Sequence, residues 1–256
     1  MCGRYALSKL PEELLAEFEI HSGSTQLPIL PADWNIAPTR EIYIVKSESG
    51  SSESGSSESG NQRTLATASW GIIAPWSKDA PSALRSQSQA INARSESVDS
   101  KPTFKNAFRN RRCLIPADGY YEWATEMGPY KPKQPFYISH EEWETKRRSL
   151  AFAGIWDRWV APDGRVVDSA AIITRPAVGF LATVHSRMPT FLPQDRWDRW
   201  LDRSLHDVDE IRALMEIPQP DLGLIARPVA DLVNSIRNTG PELITPIELG
   251  EPETLF

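Results

Sequence analysis

Apolar residues in this chain come in short runs broken by proline, glycine or charge. That pattern predicts short strands with a few brief helices. Arg4 to Leu7 reads as a first strand. A helix follows: Ser8 can cap it, Pro11 suits its first turn, and Glu12 and Glu13 favour its positive end. Leu14, Leu15 and Phe18 form its apolar face. Residues 21–33 read as irregular, with prolines at 28 and 31. Trp34 to Thr39 leads into a strand over Ile42–Val45, and Thr64–Ser69 predicts another. A Gly/Pro-punctuated aromatic turn follows over Trp70–Trp76, and then a polar stretch leads to Ile91. Phe104 to Phe108 suggests a short helix. Arg112 to Pro116 looks like a buried strand, continued after a bend by Asp118 to Trp123.

Further strands are expected at 135–139, 149–155 and 168–174, and 181–189 reads as a strand or turn. Two helices follow, one with Trp197, Trp200 and Leu201 at i, i+3, i+4 spacing, the other with Ile211, Leu214 and Met215. Ile225–Val229 and Asn234–Gly240 return to strand and turn. Together these elements predict an α+β fold of mainly antiparallel strands, not a parallel alternation. No Gly-rich phosphate loop and no domain boundary stand out, so one domain over residues 2–250 is expected.

Residues 47–60 contain only Ser, Glu and Gly, with a period of five. Such a stretch cannot bury a core and predicts a flexible loop between two strands. Its regularity suits an engineered spacer as well as a natural loop.

Composition is that of a soluble globular chain: 256 residues, 40% hydrophobic and 24% charged. No apolar run is long enough for a membrane span. Glu12, Glu13 and Glu17 stand where the core of a signal peptide would lie. Cys2 and Cys113 make no disulfide framework, which points to a reducing compartment. His21, His140, His185 and His206 lack ligand spacing, so neither a metal nor a cofactor is expected.

The net charge of -6 argues mildly against a nucleic-acid partner. Residues 85–112 run the other way, with Arg85, Arg94, Lys101, Lys105, Arg109, Arg111 and Arg112 against Glu96 and Asp99. This is either a local anion site or a solvated basic loop.

Cys2 is one processing step from being the N-terminus. Without Met1 it carries an α-amine and a thiol on adjacent carbons, titrating near about 8 and about 8.5 in unperturbed peptides. With an aldehyde the amine gives an imine, and the thiol then closes a thiazolidine. A lone cysteine near a terminus is also often without function. Glu122, between Tyr121 and Trp123, is either a proton-transfer group with a raised pKa or an edge-strand carboxylate in solvent. His185, after Leu181–Val184, is either an acid/base group or a satisfied core histidine. Asn92 either orients a carbonyl or sugar oxygen or shapes a turn.

Six motifs occur in order: Met1-Cys2-Gly3-Arg4, Trp34–Thr39, Trp70–Trp76, Ile91–Glu96, Arg112–Trp123 and His185–Pro189. With Val233-Asn234 and Asn238–Gly240 they resemble the SRAP family, the "SOS response-associated peptidase" proteins, over residues 2–246. The resemblance implies a barrel-like SRAP fold and binding of single-stranded DNA, often at junctions with duplex. It also implies covalent crosslinking to abasic sites, in shielding of the lesion during the DNA damage (SOS) response. By the same resemblance Cys2 is the nucleophile, Asn92 positions the opened sugar, Glu122 moves protons at the amine, and His185 assists ring opening and reversal. Arg4 and Arg94 hold flanking phosphates; Pro38, Trp70 and Trp123 support or stack on flanking nucleotides, a sequence-tolerant contact. Some members carry a basic residue where Pro102 stands here, and Lys101 is the substitute.

The alternatives are an N-terminal-cysteine peptidase or hydrolase, with self-processing compatible with either chemistry, and a plain single-strand binding module. A monomer is expected, in bacterial cytoplasm at the nucleoid, or in the nucleus if the source is eukaryotic. Bacterial is favoured, because the chain ends soon after Gly240.

Overall fold

The computed structural model describes residues 2–20, 29–49, 61–125 and 130–249. The first half runs β1 (Arg4–Leu7), α1 (Pro11–Glu17), β2 (Asp33–Ile36), β3 (Glu41–Ser49), β4 (Asn61–Trp70), α2 (Ala80–Gln89), β5 (Asn92–Arg94) and α3 (Lys105–Asn110). The second half runs β6 (Arg112–Ala117), β7 (Gly119–Trp123), β8 (Pro135–His140), α4 (Trp143–Lys146), β9 (Leu150–Val160), β10 (Val166–Pro176), β11 (Arg187–Pro189), α5 (Trp197–Leu201), α6 (Val208–Leu214) and β12 (Leu224–Pro228).

Five strands close a mixed barrel in the order β10-β4-β3-β6-β9 and back to β10. Closure depends on β10, which lies antiparallel to β9 over Val166–Ile172 and parallel to β4 at Ser169 and Ala170. Short β5 and β11 extend the outer part of β10. All six residues of β6 are buried, as its apolar run predicts for a strand covered on both faces. Opposite it, Gly154 of β9 is required: a Cβ there would lie 2.8 Å from Cys113 Sγ. The second sheet is antiparallel, in the order β12-β8-β7-β1-β2. Tyr5 and Tyr120 of this sheet each meet Phe152 of the barrel edge-on, at 6.1 Å between ring centres. The expected α+β class of mainly antiparallel strands in a barrel-like arrangement is the fold observed.

Local expectations changed in four places. Residues 47–49 belong to β3 and pair with β4 through Ser47↔Arg63 to Ser49↔Asn61, so the ladder runs further than the composition suggested. Residues 50–60 lie outside the described residues, as do 21–28 of the stretch read as irregular. Ser8 does not cap α1. Its N–H and hydroxyl both donate to Asp118 Oδ2 at 2.7 Å, and the helix starts instead at Leu10, whose N–H donates to Glu13 Oε2. The polar stretch before Ile91 contains α2, capped by Asp79, which accepts from the Ser82 N–H at 2.7 Å. Residues 181–189 divide into a 3₁₀ turn over Gly179–Thr183 and the short β11.

Candidate active site

Strand register assembles the site. β1 runs antiparallel to β7 with Arg4↔Tyr121 and Tyr5↔Tyr120. Continued past Arg4, that register carries Cys2 to the Glu122–Trp123 end of β7. β5 lies parallel to β10, pairing Asn92 with Ile172, and this brings Asn92 to the same place. Its amide donates to the Cys2 carbonyl at 2.7 Å. The Asn92 Oδ1 is buried with no partner in the described structure, an acceptor left over at the site.

Cys2 is fully buried, its Sγ 3.9 Å from the Arg4 carbonyl. Burial pushes the thiol well above its ordinary value, and the nearby Glu122 charge adds to the rise. Glu122 is only 2% exposed, and burial lifts its carboxyl to about 7. The solvent-facing edge carboxylate is therefore not what the fold makes of it. His185 is half-buried, with Nδ1 3.9 Å from Glu122 Oε2. The Arg187 N–H and the Arg187 carbonyl both lie at that same Nδ1, at 3.0 and 3.3 Å. Burial lowers the His185 pKa from its ordinary 6.5, favouring the neutral ring. Two buried phenols, Tyr5 and Tyr120, complete the wall, both with pKa values raised chiefly by burial and next by the charges of Cys2 and Glu122 respectively. Cys2, Asn92, Glu122 and His185, far apart in sequence, are thus gathered at one place: Asn92 bonds the Cys2 carbonyl, the Glu122 charge acts on the Cys2 thiol, and His185 lies against Glu122. It unites a buried thiol, an amide bound to the Cys2 carbonyl, a carboxyl lifted to about 7 and an imidazole.

The residues expected at DNA divide. Arg94 and Lys101 are exposed, and Pro38 is partly exposed after β2. Trp123 is partly exposed, its indole N–H donating to Asn234 Oδ1 at 2.8 Å. Arg4 is half-buried, and its Nη1 donates to Asn35 Oδ1 and to the Val233 carbonyl. Trp70 corrects the expectation of stacking. It is wholly buried, its indole N–H donates to the Ile91 carbonyl, and its ring meets Tyr5 edge-on at 5.3 Å. Of the two roles, only support is left to it. The basic segment also shrinks. Arg112 is 5% exposed and donates to the carbonyls of Trp200, Phe108, Arg109, Asp202 and Leu205, and Arg111 pairs with Asp157.

Two positioning residues went unread in the sequence. Arg187 is paired with Glu96 and donates to the Thr174 carbonyl, tying β11 to β10 beside His185. Its signal was its place two residues after His185 in one motif. Asn35, 2% exposed, donates through one amide to the carbonyls of Val233, Ser235 and Asn238. It holds the C-terminal segment against β2, and polarity within the Trp34–Ala37 apolar run was its only cue. Among the described residues, no cluster of three His, Cys, Asp or Glu side chains suits a metal. No helix among them is long and apolar enough to cross a membrane.

A family model described as SOS response associated peptidase (SRAP) matches residues 1–236. The abasic site processing protein YoqW of Bacillus subtilis (strain 168) is 31% identical over 245 residues, 95% of this chain and 99% of that protein. The abasic site processing protein HMCES of Gallus gallus is 35% identical over 212 residues, 75% of this chain and 60% of that protein. The solved structure of a protein from Bacteroides thetaiotaomicron matches in fold, with a TM-score of 0.77 at 22% identity, covering 96% of this chain and all of that one.

Proposed function

The chain belongs to the SRAP (SOS response associated peptidase) family, and on that premise we propose that it processes abasic sites by capturing them in single-stranded DNA as a thiazolidine on Cys2. The carrying observation is the gathering of Asn92, Cys2, Glu122 and His185 at one place, with the Glu122 charge acting on the Cys2 thiol. An abasic deoxyribose in its open form presents an aldehyde. Once Met1 is removed, the Cys2 amine adds to that carbon, and water leaves to give the imine. The thiol then adds across the C=N bond, forming the C–S bond while its proton ends on nitrogen. Each stage needs a group that both gives and takes a proton near neutral pH. A carboxyl at about 7 is suited to that. The neutral His185 serves the ring oxygen during opening and reversal. Asn92 holds the Cys2 carbonyl, and its free Oδ1 is an acceptor for the opened sugar's hydroxyl.

Arg4, Arg94 and Lys101 face flanking phosphates, Pro38 and Trp123 the neighbouring nucleotides, at single strands or their junctions with duplex. The protein acts as a monomer where DNA is, at the bacterial nucleoid or in a nucleus. Burial of Cys2 keeps its sulfur in the neutral form, which weighs against thiolate attack on an amide as its main chemistry. The test is incubation with a single-stranded oligonucleotide bearing one abasic site, followed by a denaturing gel. A shifted band is expected that needs both the lesion and Cys2. An equal band with Cys2→Ala, or none at all, refutes the proposal.

A further inference from the structure

His185 is held through a neighbour. It stands between the 3₁₀ turn of Gly179–Thr183 and β11, its N–H donating to the Leu181 carbonyl at 3.1 Å. Its ring meets the main chain two residues on, where the Arg187 N–H and carbonyl lie at Nδ1. The place of Arg187 therefore bears on where the imidazole stands beside Glu122.

Arg187 is held in turn by its side chain, which is only 13% exposed. Nη2 donates to the Thr174 carbonyl at 2.6 Å and to the Thr174 hydroxyl at 3.2 Å. Glu96 completes the grip: its Oε1 accepts from Nη1, and its Oε2 accepts from Nη2 at 3.0 Å. Two parallel bonds to one carboxylate fix a guanidinium in direction as well as distance. The hydrogen bond from Arg187 is the main reason the Glu96 carboxyl is held down at about 2, so it is ionised at neutral pH.

Glu96 stands four residues after Asn92, just past β5. The Ser95 N–H donates to the same Thr174 carbonyl at 2.8 Å, which pins this segment to the outer end of β10. Residues 92–96 thus reach the Cys2 carbonyl at one end and Arg187 at the other. The Glu96 side chain is 49% exposed. An ion pair so open to water contributes little stability. What it fixes is geometry.

We propose that Glu96 is a positioning residue for sugar ring opening, acting through Arg187 on His185. The inference rests on the thiazolidine reading above. A closed abasic sugar is a hemiacetal. Opening breaks the bond from C1 to the ring oxygen: the ring oxygen gains a proton and the C1 hydroxyl gives one up. A displaced imidazole serves that exchange poorly. Addition of the Cys2 amine to an aldehyde that is already open does not need it.

The test compares two single-stranded oligonucleotides at saturating concentration, with adducts timed on denaturing gels. One carries an abasic site. The other carries an aldehyde on an acyclic linker with no hydroxyl to close on it. Glu96→Ala is expected to slow capture of the abasic site about fivefold or more, and to leave capture of the acyclic aldehyde within about twofold of the parent. Glu96→Gln keeps an acceptor for one guanidinium N–H, and its loss on the abasic site is expected to be smaller. Should Glu96→Ala not fold, Glu96→Gln carries the same comparison. Equal rates for variant and parent on the abasic site overturn the proposal. So does an equal loss on both substrates, which would mark a general loosening of the site. A parent that captures neither substrate refutes the thiazolidine reading, and the proposal with it.

Discussion

Glu122→Gln separates the charge of the buried carboxyl from its shape. Burial lifts this group from 4.5 to about 7. Between those values the folded protein keeps the proton and the unfolded chain has lost it. The unfolded state binds fewer protons there, so stability falls as pH rises through the window. Above it the whole penalty is present: at about 1.4 kcal/mol per pH unit it comes to about 3 kcal/mol. At 2% exposure, solvent screening removes little of it. Glutamine never ionises and escapes the penalty. In a chain of this size 1 kcal/mol shifts the melting temperature by about 2–4 °C. Glu122→Gln is therefore expected to melt up to about 10 °C above the parent at pH 8, with most of the gap gone at pH 5. Adduct formation by the same variant is expected to slow by about a hundredfold or more, since a positioned acid/base is lost. Differential scanning fluorimetry at the two pH values checks the first, and timed denaturing gels the second. A variant melting below the parent at pH 8, or a gap independent of pH, refutes the reasoning: the fold would then be satisfying the carboxylate as a charge.

Asn92→Ala removes the donor to the Cys2 carbonyl; a loss of about 1 kcal/mol or more of positioning is expected to slow capture roughly fivefold or more, measured as adduct rate at saturating DNA. Arg112→Met leaves five backbone carbonyls without their cation and is expected to cost more than about 3 kcal/mol in urea unfolding, whereas a surface arginine would cost little. Asn35→Ala frees the segment around Val233–Asn238 and removes a partner of Arg4, so limited proteolysis is expected to nick that segment first and DNA binding to weaken.

What was legible in the sequence follows from where its information is local. β6 and β7 were readable because an unbroken apolar run has little choice but to be a covered strand. α2 was not, since its only apolar side chains are alanines, Pro81 and Leu84, and its start is set by the Asp79 cap rather than by periodicity. Barrel closure was out of reach as well. It depends on two residues of β10 pairing in parallel with β4, about a hundred positions earlier in the chain. At the site, Glu122 and His185 showed as polar groups within apolar runs, and Cys2 by its position. Their convergence is a matter of strand register that residue types do not encode. Arg112 and Trp70 mark the reverse failure. Arginine reads as surface and tryptophan as a stacking platform, but five carbonyls hold the one and Tyr5 covers the other. A basic segment read as one surface thus splits into a structural part and an exposed part.

In the proposed reaction Cys2, freed of Met1, joins the abasic sugar through both nitrogen and sulfur. Intact mass spectrometry of the purified adduct tests it most directly. The expected mass is that of the chain without Met1 plus that of the oligonucleotide, less one water. Peptide mapping is expected to place the link on Cys2, with no free thiol there. An adduct that retains Met1, or one linked at another residue, contradicts it.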